Sequence, residues 1–155
     1  MKPSLRRRLW DVAMTGVPFG VFKLGFGVFL HGHAPALGAL IVAWGVLDVA
    51  LNVVAAALPA VSFCVLSNVG RALDARSPQG GWEALLLAVD TLLSFAIVAF
   101  MIGFTLLPGL PAALRRTWDV AVVMNVLAAG LERVWVTARA RAAARGEQAS
   151  GGSPV

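Results

Sequence analysis

The chain has 155 residues, of which 59% are hydrophobic and only 14% are charged, and its mean hydropathy is +0.80. Soluble domains carry about 25% charged residues, so this composition argues against a cytosolic globular domain. A single cysteine, Cys64, excludes both an internal disulfide and a cysteine-based zinc site. The length allows one compact unit, and the compartment is indicated by hydropathy rather than by cysteine chemistry.

Long charge-free segments dominate the sequence. Residues 24–47, 49–70 and 91–114 each exceed the roughly 18 apolar residues that indicate a membrane span. The first segment must divide, because residues 31–35 (HGHAP) favour a turn. The sequence therefore predicts an all-α fold, an integral membrane four-helix bundle, with helices at about 10–30, 36–58, 82–107 and 112–136.

The segments before, between and after the four predicted spans are shorter or more polar than the spans themselves. Residues 1–9 form a basic cytoplasmic N-terminus, residues 10–136 the four-span transmembrane domain, and residues 137–155 a basic extension with a tail expected to be disordered. Residues 59–73 are too short to span, so they predict either a kinked extension of helix 2 or an interfacial helix. A cleavable signal peptide is a weaker alternative, because Lys23 interrupts its apolar region.

The basic residues predict the orientation of the chain. Ten of the thirteen lysines and arginines lie before helix 1, between helices 2 and 3, or at and beyond the end of helix 4, whereas only Arg115 and Arg116 lie on the opposite side. The positive-inside rule then places both termini in the cytoplasm (N-in/C-in) of a bacterial-type inner membrane. Because topology explains the positive charge, nucleic acid is not an expected partner. The tryptophans expected at the membrane boundaries are Trp10, Trp82 and Trp135 inside and Trp118 outside.

Helices 2 and 4 resemble one another when the chain is shifted by 73 residues. The shift pairs Pro35 with Pro108 and Asn52 with Asn125. The match does not extend cleanly into helices 1 and 3, and alanine-rich apolar segments match easily by chance. Two tandem helical hairpins are the hypothesis that this similarity suggests.

A stripe of small residues marks one face of helix 1. Gly16, Gly20 and Gly27 lie at helical spacing around Lys23, and Gly45 lies on a corresponding face of helix 2. Glycine lacks the side chain that would hold two helix backbones apart. These four glycines are therefore predicted to pack helix 1 against helix 2.

Three charged residues fall well inside the predicted spans: Lys23, Asp48 and Asp90. A lone charge at the bilayer centre costs about 2.5 to 3.5 kcal/mol on insertion scales, and pairing reduces this cost. Lys23 and Asp48 lie at similar depth, so we predict a contact between them. With Asn52 and Asn125 as neutral companions, these residues form the predicted buried polar cluster. Two carboxylates and one ammonium leave one excess negative charge, which favours protonation of one carboxyl or attraction of a cation.

Other chemical signals are weak. His31 and His33 lack the cysteine or carboxylate neighbours of a metal site. The sequence contains no phosphate-binding loop, zinc-protease motif or nucleophile elbow. We therefore predict no catalytic residue, no bound metal and no cofactor.

The sequence indicates where the protein resides better than what it does. The favoured interpretation is an accessory, scaffolding or regulatory subunit of a membrane complex, with the lipid bilayer and either a membrane protein or a second copy of the chain as partners. The alternative is a small proton- or cation-coupled transporter or channel that uses the buried cluster. An intramembrane aspartyl enzyme ranks third, because no recognisable motif accompanies Asp48, Asp90 or Asp119.

Overall fold

A computed structural model describes residues 5–58, 61–62, 64–77 and 80–151. All regular secondary structure in these ranges is helical. The α-helices are α1 (Leu5–Asp11), α2 (Val17–His31), α3 (Pro35–Ala57), α4 (Val65–Asp74), α5 (Trp82–Gly103) and α6 (Ala112–Gly151). A π-helical turn, Val12–Gly16, joins α1 to α2, and a short 3-10 turn, Leu107–Gly109, precedes α6.

Four helical segments are long and apolar enough to cross a membrane, judged by length and composition alone. They are Leu9–His31, Pro35–Ala57, Trp82–Gly103 and Ala112–Ala138. The prediction of an all-helical chain with four long apolar helices is therefore confirmed.

Two helix ends differ from the sequence-based expectation. α5 ends at Gly103 rather than near residue 107, because the chain turns at Thr105, whose φ is +53°. α6 continues to Gly151, although residues from 146 onward were expected to be disordered. Few helix breakers interrupt α6, and its alanine-rich and arginine-rich end has a high helix propensity. Residues 1–4 and 152–155 of the predicted termini lie outside the described residues.

A tight turn joins α2 to α3 at the predicted place. Pro35 is the first residue of α3, where its missing N–H costs no helical hydrogen bond. His31 Nδ1 lies 3.1 Å from the Pro35 carbonyl oxygen, and His33 Nδ1 lies 3.2 Å from the Phe29 carbonyl oxygen. The two histidines thus contact the main chain around the turn.

The glycines predicted to pack helix 1 against helix 2 all lie in one interface, where α2 and the π-helical turn meet α3. They are Gly16, Gly20, Gly27 and Gly45. A Cβ atom added to Gly20 would lie 2.6 Å from the Val49 side chain, and one added to Gly27 would lie 2.7 Å from the Val42 main-chain nitrogen. Both distances are below ordinary van der Waals contact, so a side chain at either position would push the two helices apart.

α2 lies at the centre of the structure, and α3, α5 and α6 pack around it. Phe22 contacts Trp118 of α6 with ring centroids 5.0 Å apart, and Phe19 meets Phe95 of α5 edge to face at 5.5 Å. Trp118 is completely buried, because Gly25 leaves room for its ring. Its expected depth at the outer membrane boundary stays a prediction. α5 and α6 have little direct contact with each other, and they form a looser pair than α2 and α3.

Polarity is distributed inside out compared with a soluble protein. The buried polar residues are Lys23, Asp48, Asn52, Ser62, Ser67, Asp90, Ser94 and Asn125. Large apolar side chains are instead exposed along α3, α5 and α6, and two of them, Leu40 and Leu92, are 67% and 71% exposed. An apolar surface of this extent is expected to meet lipid or another protein.

Part of the ambiguous segment 59–73 forms a separate helix, α4, that is not an extension of α3. α3 ends at Ala57, but Val65 at the start of α4 donates its N–H to Asp48, nine residues before that end. At 1.5 Å per residue, the chain has returned by about 13 Å along α3. At the other end of α4, Asp74 accepts hydrogen bonds from the first two main-chain N–H groups of α5. α4 therefore runs beside α5 in the opposite direction.

Candidate functional site

The charged residues predicted inside the spans meet at one place. Lys23 Nζ of α2 contacts Asp48 Oδ2 of α3 and lies 2.6 Å from Asp90 Oδ1 of α5. The ammonium group also lies 4.5 Å from the centre of the Trp44 ring, which is a cation–π distance. All three charged side chains are at most 2% exposed. We call Lys23, Asp48 and Asp90 the charged triad.

Close helix packing brings the triad together. Lys23 lies on α2 between Gly20 and Gly27, and Gly45 precedes Asp48 by three residues on α3. Because the glycines let the two backbones approach, the short aspartate side chain reaches the lysine ammonium. The contact between Lys23 and Asp48 expected from their similar depth is present. The same ammonium also binds Asp90 of α5.

The start of α4 belongs to the same site. Val65 N donates to Asp48 Oδ1 at 2.7 Å, so the two oxygens of this carboxylate bind α4 and Lys23 separately. Cys64, the residue that caps α4, has its Sγ 3.3 Å from Ser67 N and is 3% exposed. A helix N-terminus carries partial positive charge, so α4 adds to the stabilisation of the Asp48 carboxylate.

Only one of the two predicted neutral companions adjoins the triad. Asn52 Nδ2 donates to the main-chain carbonyl of Asp48 at 2.7 Å. Asn125 is buried on α6, but within the described residues no hydrogen bond joins its side chain to the triad. α6 packs on the side of α2 that carries Gly25, which is about 200° around the helix from Lys23. The described hydrogen bonds of the triad therefore include Asn52 but not Asn125, and a role for Asn125 in the cluster stays a prediction.

A second group of polar side chains joins α4 to the start of α5. Arg71 Nη2 donates to Glu83 Oε1 at 2.6 Å, and Ser67 Oγ donates to the same oxygen at 3.3 Å. The hydrogen bond to Glu83 raises the pKa of the Arg71 guanidinium, so this group stays charged. Gly70 faces the α5 main chain, with an added Cβ only 2.6 Å from Glu83 Cα. We call Arg71, Ser67 and Glu83, together with the Asp74 cap, the hairpin contacts.

The triad is closed within the chain. Surface depressions along α6, lined by residues that include Arg133 and Val136, contain none of the triad side chains. Among the described residues, no group of three His, Cys, Asp and Glu side chains is placed to hold a metal ion.

Sequence reasoning missed the parts of the site that come from α4. Cys64 reads as a packing residue in an apolar stretch, and nothing local indicates that Val65 returns to the level of Asp48. The one signal in the sequence is that the small or polar residues Cys64, Ser67 and Gly70 recur every three residues, which places them on one face of a helix. The structure buries this face.

Comparison of the chain with models of known protein families, with curated proteins and with solved structures gave no match. Function must therefore follow from the triad, from α4 and from the exposed apolar surface.

Proposed function

We propose that the protein is a small multi-pass protein of the inner (plasma) membrane, with both termini in the cytoplasm, and that it acts as an accessory or scaffolding subunit of a membrane complex. The observation that carries this proposal is the inside-out polarity. The charged triad is sealed in the centre, whereas the outer sides of α3, α5 and α6 are apolar.

α4 supports insertion in lipid. Its small and polar residues, Cys64, Ser67 and Gly70, are buried, whereas Val69 and Leu73 are 46% and 37% exposed. A short helix at the surface of a soluble protein would place its apolar side chains inside. Because Val65 lies at the level of Asp48, the chain between α3 and α5 would enter the membrane and return to the same side, with α4 as its returning part. Irregular backbone at that depth is tolerated where it is buried against protein, as the Cys64 main chain is.

The proposed orientation is tested with reporter fusions. A reporter fused after Val155 should be active only in the cytoplasm, and one inserted after His33, in the turn between α2 and α3, only outside it. Activity of the Val155 fusion outside the cytoplasm contradicts the N-in/C-in orientation.

The subunit role rests on how the helices are held together. The triad joins α2, α3 and α5, and through Val65 it also holds α4. Buried ion pairs that are fully hydrogen-bonded specify which helix faces meet, rather than adding much net stability. The outer surfaces of α5 and α6, which have little contact with each other, are left for lipid or for another subunit.

The partner surface is tested by extracting the protein with its surrounding lipid and measuring the protein mass of each particle, with the mass of the lipid subtracted. We expect an assembly heavier than one 16.2 kDa chain. Leu92→Trp on α5 and Val126→Trp on α6 each place a bulky group on an outer surface, and Leu40→Trp is the matched change on α3. At least one variant should release the chain from the assembly without lowering its melting temperature. A protein mass of 16.2 kDa per particle for the unaltered protein contradicts the proposal.

Proton- or cation-coupled transport is the second candidate, and one observation favours it. Two carboxylates surround a single ammonium beside the start of α4, where the chain has turned back to the level of Asp48. If all three groups are ionised, the site carries one excess negative charge, which a proton or a cation would neutralise. Proton flux into vesicles that contain only the purified protein tests this candidate. Flux that disappears in Asp48→Asn or Asp90→Asn supports it and contradicts a purely accessory role.

A further inference from the structure

One carboxylate inside the predicted spans lies on the outside of the bundle. Asp119 is exposed on α6, one residue after Trp118, which is completely buried beside Gly25. It follows the start of α6 at Ala112 by seven residues, which is about 10 Å along the helix. Charged residues within membrane spans almost always face a protein interior, because lipid offers them no hydrogen-bond partner. The outward position of Asp119 therefore indicates that α6 meets further protein on its outer side.

Within the described part of the chain, Asp119 has no ion-pair partner. Arg115 and Arg116 lie one turn earlier on α6 and are also exposed, but the described salt bridges are those of the charged triad and of the hairpin contacts. An arginine side chain is long enough to reach the headgroups from within a span, whereas an aspartate side chain is not. The Asp119 carboxylate is therefore best neutralised by a cation supplied from outside the chain.

The exposed side of α6 has the residue spacing of a helix–helix interface. Its apolar residues recur at intervals of three, four and seven, which is the heptad spacing of helices that pair side by side. They lie opposite the face that packs on α2 and the π-helical turn, which carries Ala121 and Asn125. Arg116 and Asp119 lie at the outer end of the same exposed side. We call these two residues, together with four apolar residues that are each 54 to 66% exposed, the outer face of α6; the four are Val120, Val123, Leu127 and Val134.

A second copy of the chain complements this face. Two copies inserted in the same orientation hold their α6 helices parallel, so a two-fold axis along the membrane normal brings the same residues of both copies together. The apolar residues then meet their own counterparts, as in a parallel coiled coil. Asp119 of one copy lies within one helical turn of the level of Arg116 of the other, and the symmetry forms this ion pair twice. A face that carries both charges thus complements itself, whereas an unrelated partner would have to supply a matching pair.

We propose that two copies of the chain pair through the outer face of α6, with Asp119 of each copy bound to Arg116 of the other. This inference rests on the proposed function and deepens it, because it names a second copy as the partner on one surface of the accessory subunit. α6 lies on the side of α2 away from Lys23, so the pairing leaves the charged triad undisturbed. The outer surfaces of α3 and α5 remain free for lipid or for another subunit.

Disulfide cross-linking in native membranes tests which surface pairs. Cys64 is the only cysteine of the chain, so the variants are made with Cys64→Ser. Leu127→Cys then places the single thiol on the outer face of α6, and Leu92→Cys places it on the outer surface of α5, where the leucine is 71% exposed. Oxidation should give at least tenfold more covalent dimer for Leu127→Cys than for Leu92→Cys. Equal yields overturn the proposal.

The protein mass per particle separates this inference from the proposed function. The purified chain alone, reconstituted in lipid nanodiscs, should give twice 16.2 kDa. An assembly heavier than one chain in native membranes, in which Leu127→Cys does not cross-link, overturns the pairing through α6 but leaves the accessory role intact. One chain per particle in both preparations contradicts the pairing and the accessory role together.

Substitutions of the two charged residues test the ion pair. Asp119→Ala and Arg116→Ala should each raise the dissociation constant of the pair about fivefold, as measured by energy transfer between labelled copies diluted in vesicles. The double variant should lose no more than either single variant, because both remove the same interaction. Glu132→Ala removes an exposed carboxylate about 140° around α6 from Asp119, so its dissociation constant should stay within twofold of the unaltered protein. Multiplied losses in the double variant, or an equal loss in Glu132→Ala, overturn the ion pair.

Discussion

Replacing Lys23 with methionine removes the cation that neutralises the charged triad. Methionine is unbranched and of similar length, so the packing of α2 against α3 through Gly20 and Gly27 should persist. Asp48 and Asp90 would then lie close together, at most 2% exposed, without the ammonium between them. The variant therefore isolates the electrostatic contribution of the lysine from its packing.

The expected cost is large for a chain of this size. Removing one partner of a buried ion pair costs about 3 to 5 kcal/mol, because the remaining charge is left uncompensated. The N-terminus of α4 still stabilises Asp48, and one carboxyl takes up a proton, so we expect the lower end, about 3 kcal/mol. Total stabilities of about 5 to 15 kcal/mol are typical of folded proteins, so Lys23→Met should remove a substantial fraction.

Reversible unfolding in mixed detergent micelles, followed by tryptophan fluorescence, measures this loss. The double variant Lys23→Met with Asp90→Asn removes the repulsion between the carboxylates and should recover at least about 1 kcal/mol relative to the additive expectation. A loss below about 0.5 kcal/mol for Lys23→Met, or strict additivity in the double variant, refutes the conclusion that the lysine neutralises both aspartates.

The other predictions concern packing, the hairpin contacts and the cysteine. Gly45→Val should lower the free energy of unfolding by about 1 to 3 kcal/mol, because an added Cβ lies 2.9 Å from the Leu24 main-chain nitrogen. Gly130→Ala, where an added Cβ has nothing within 4 Å, should instead raise it by up to about 1 kcal/mol, and the same unfolding assay compares the two. Arg71→Gln should cost at most about 1 kcal/mol, because the Arg71 side chain is 40% exposed; a larger loss in that assay contradicts this estimate. Cys64 should react completely with a maleimide only after unfolding, as the mass of the modified chain will show; complete modification of the native protein contradicts its burial.

The features that the sequence predicts well are those set by local pattern and by energetic necessity. Helical periodicity places Gly16, Gly20 and Gly27 on the face of Lys23, and the cost of a lone buried charge requires a partner at the depth of Asp48. The first expectation needs only the geometry of an α-helix, and the second needs also the cost of an unpaired charge in lipid. The structure has the corresponding glycine interface and ion pair.

The features that the sequence does not predict depend on how helices are arranged around one another. The sequence places Asn125 inside the fourth predicted span, but it does not show that this helix meets α2 on the side of Gly25. In the same way, no local pattern indicates that the chain turns back after Ala57. That reversal brings Val65 into a hydrogen bond with Asp48, a residue 17 positions earlier in the sequence.

Proton flux measured in sealed lipid vesicles that contain only the purified chain distinguishes a structural triad from a proton pathway. A closed triad that holds the helices together in an accessory subunit predicts flux no greater than that of empty vesicles, with the same result for Asp48→Asn and Asp90→Asn. A pH-dependent flux that either substitution abolishes contradicts it, because the triad would then carry protons across the membrane.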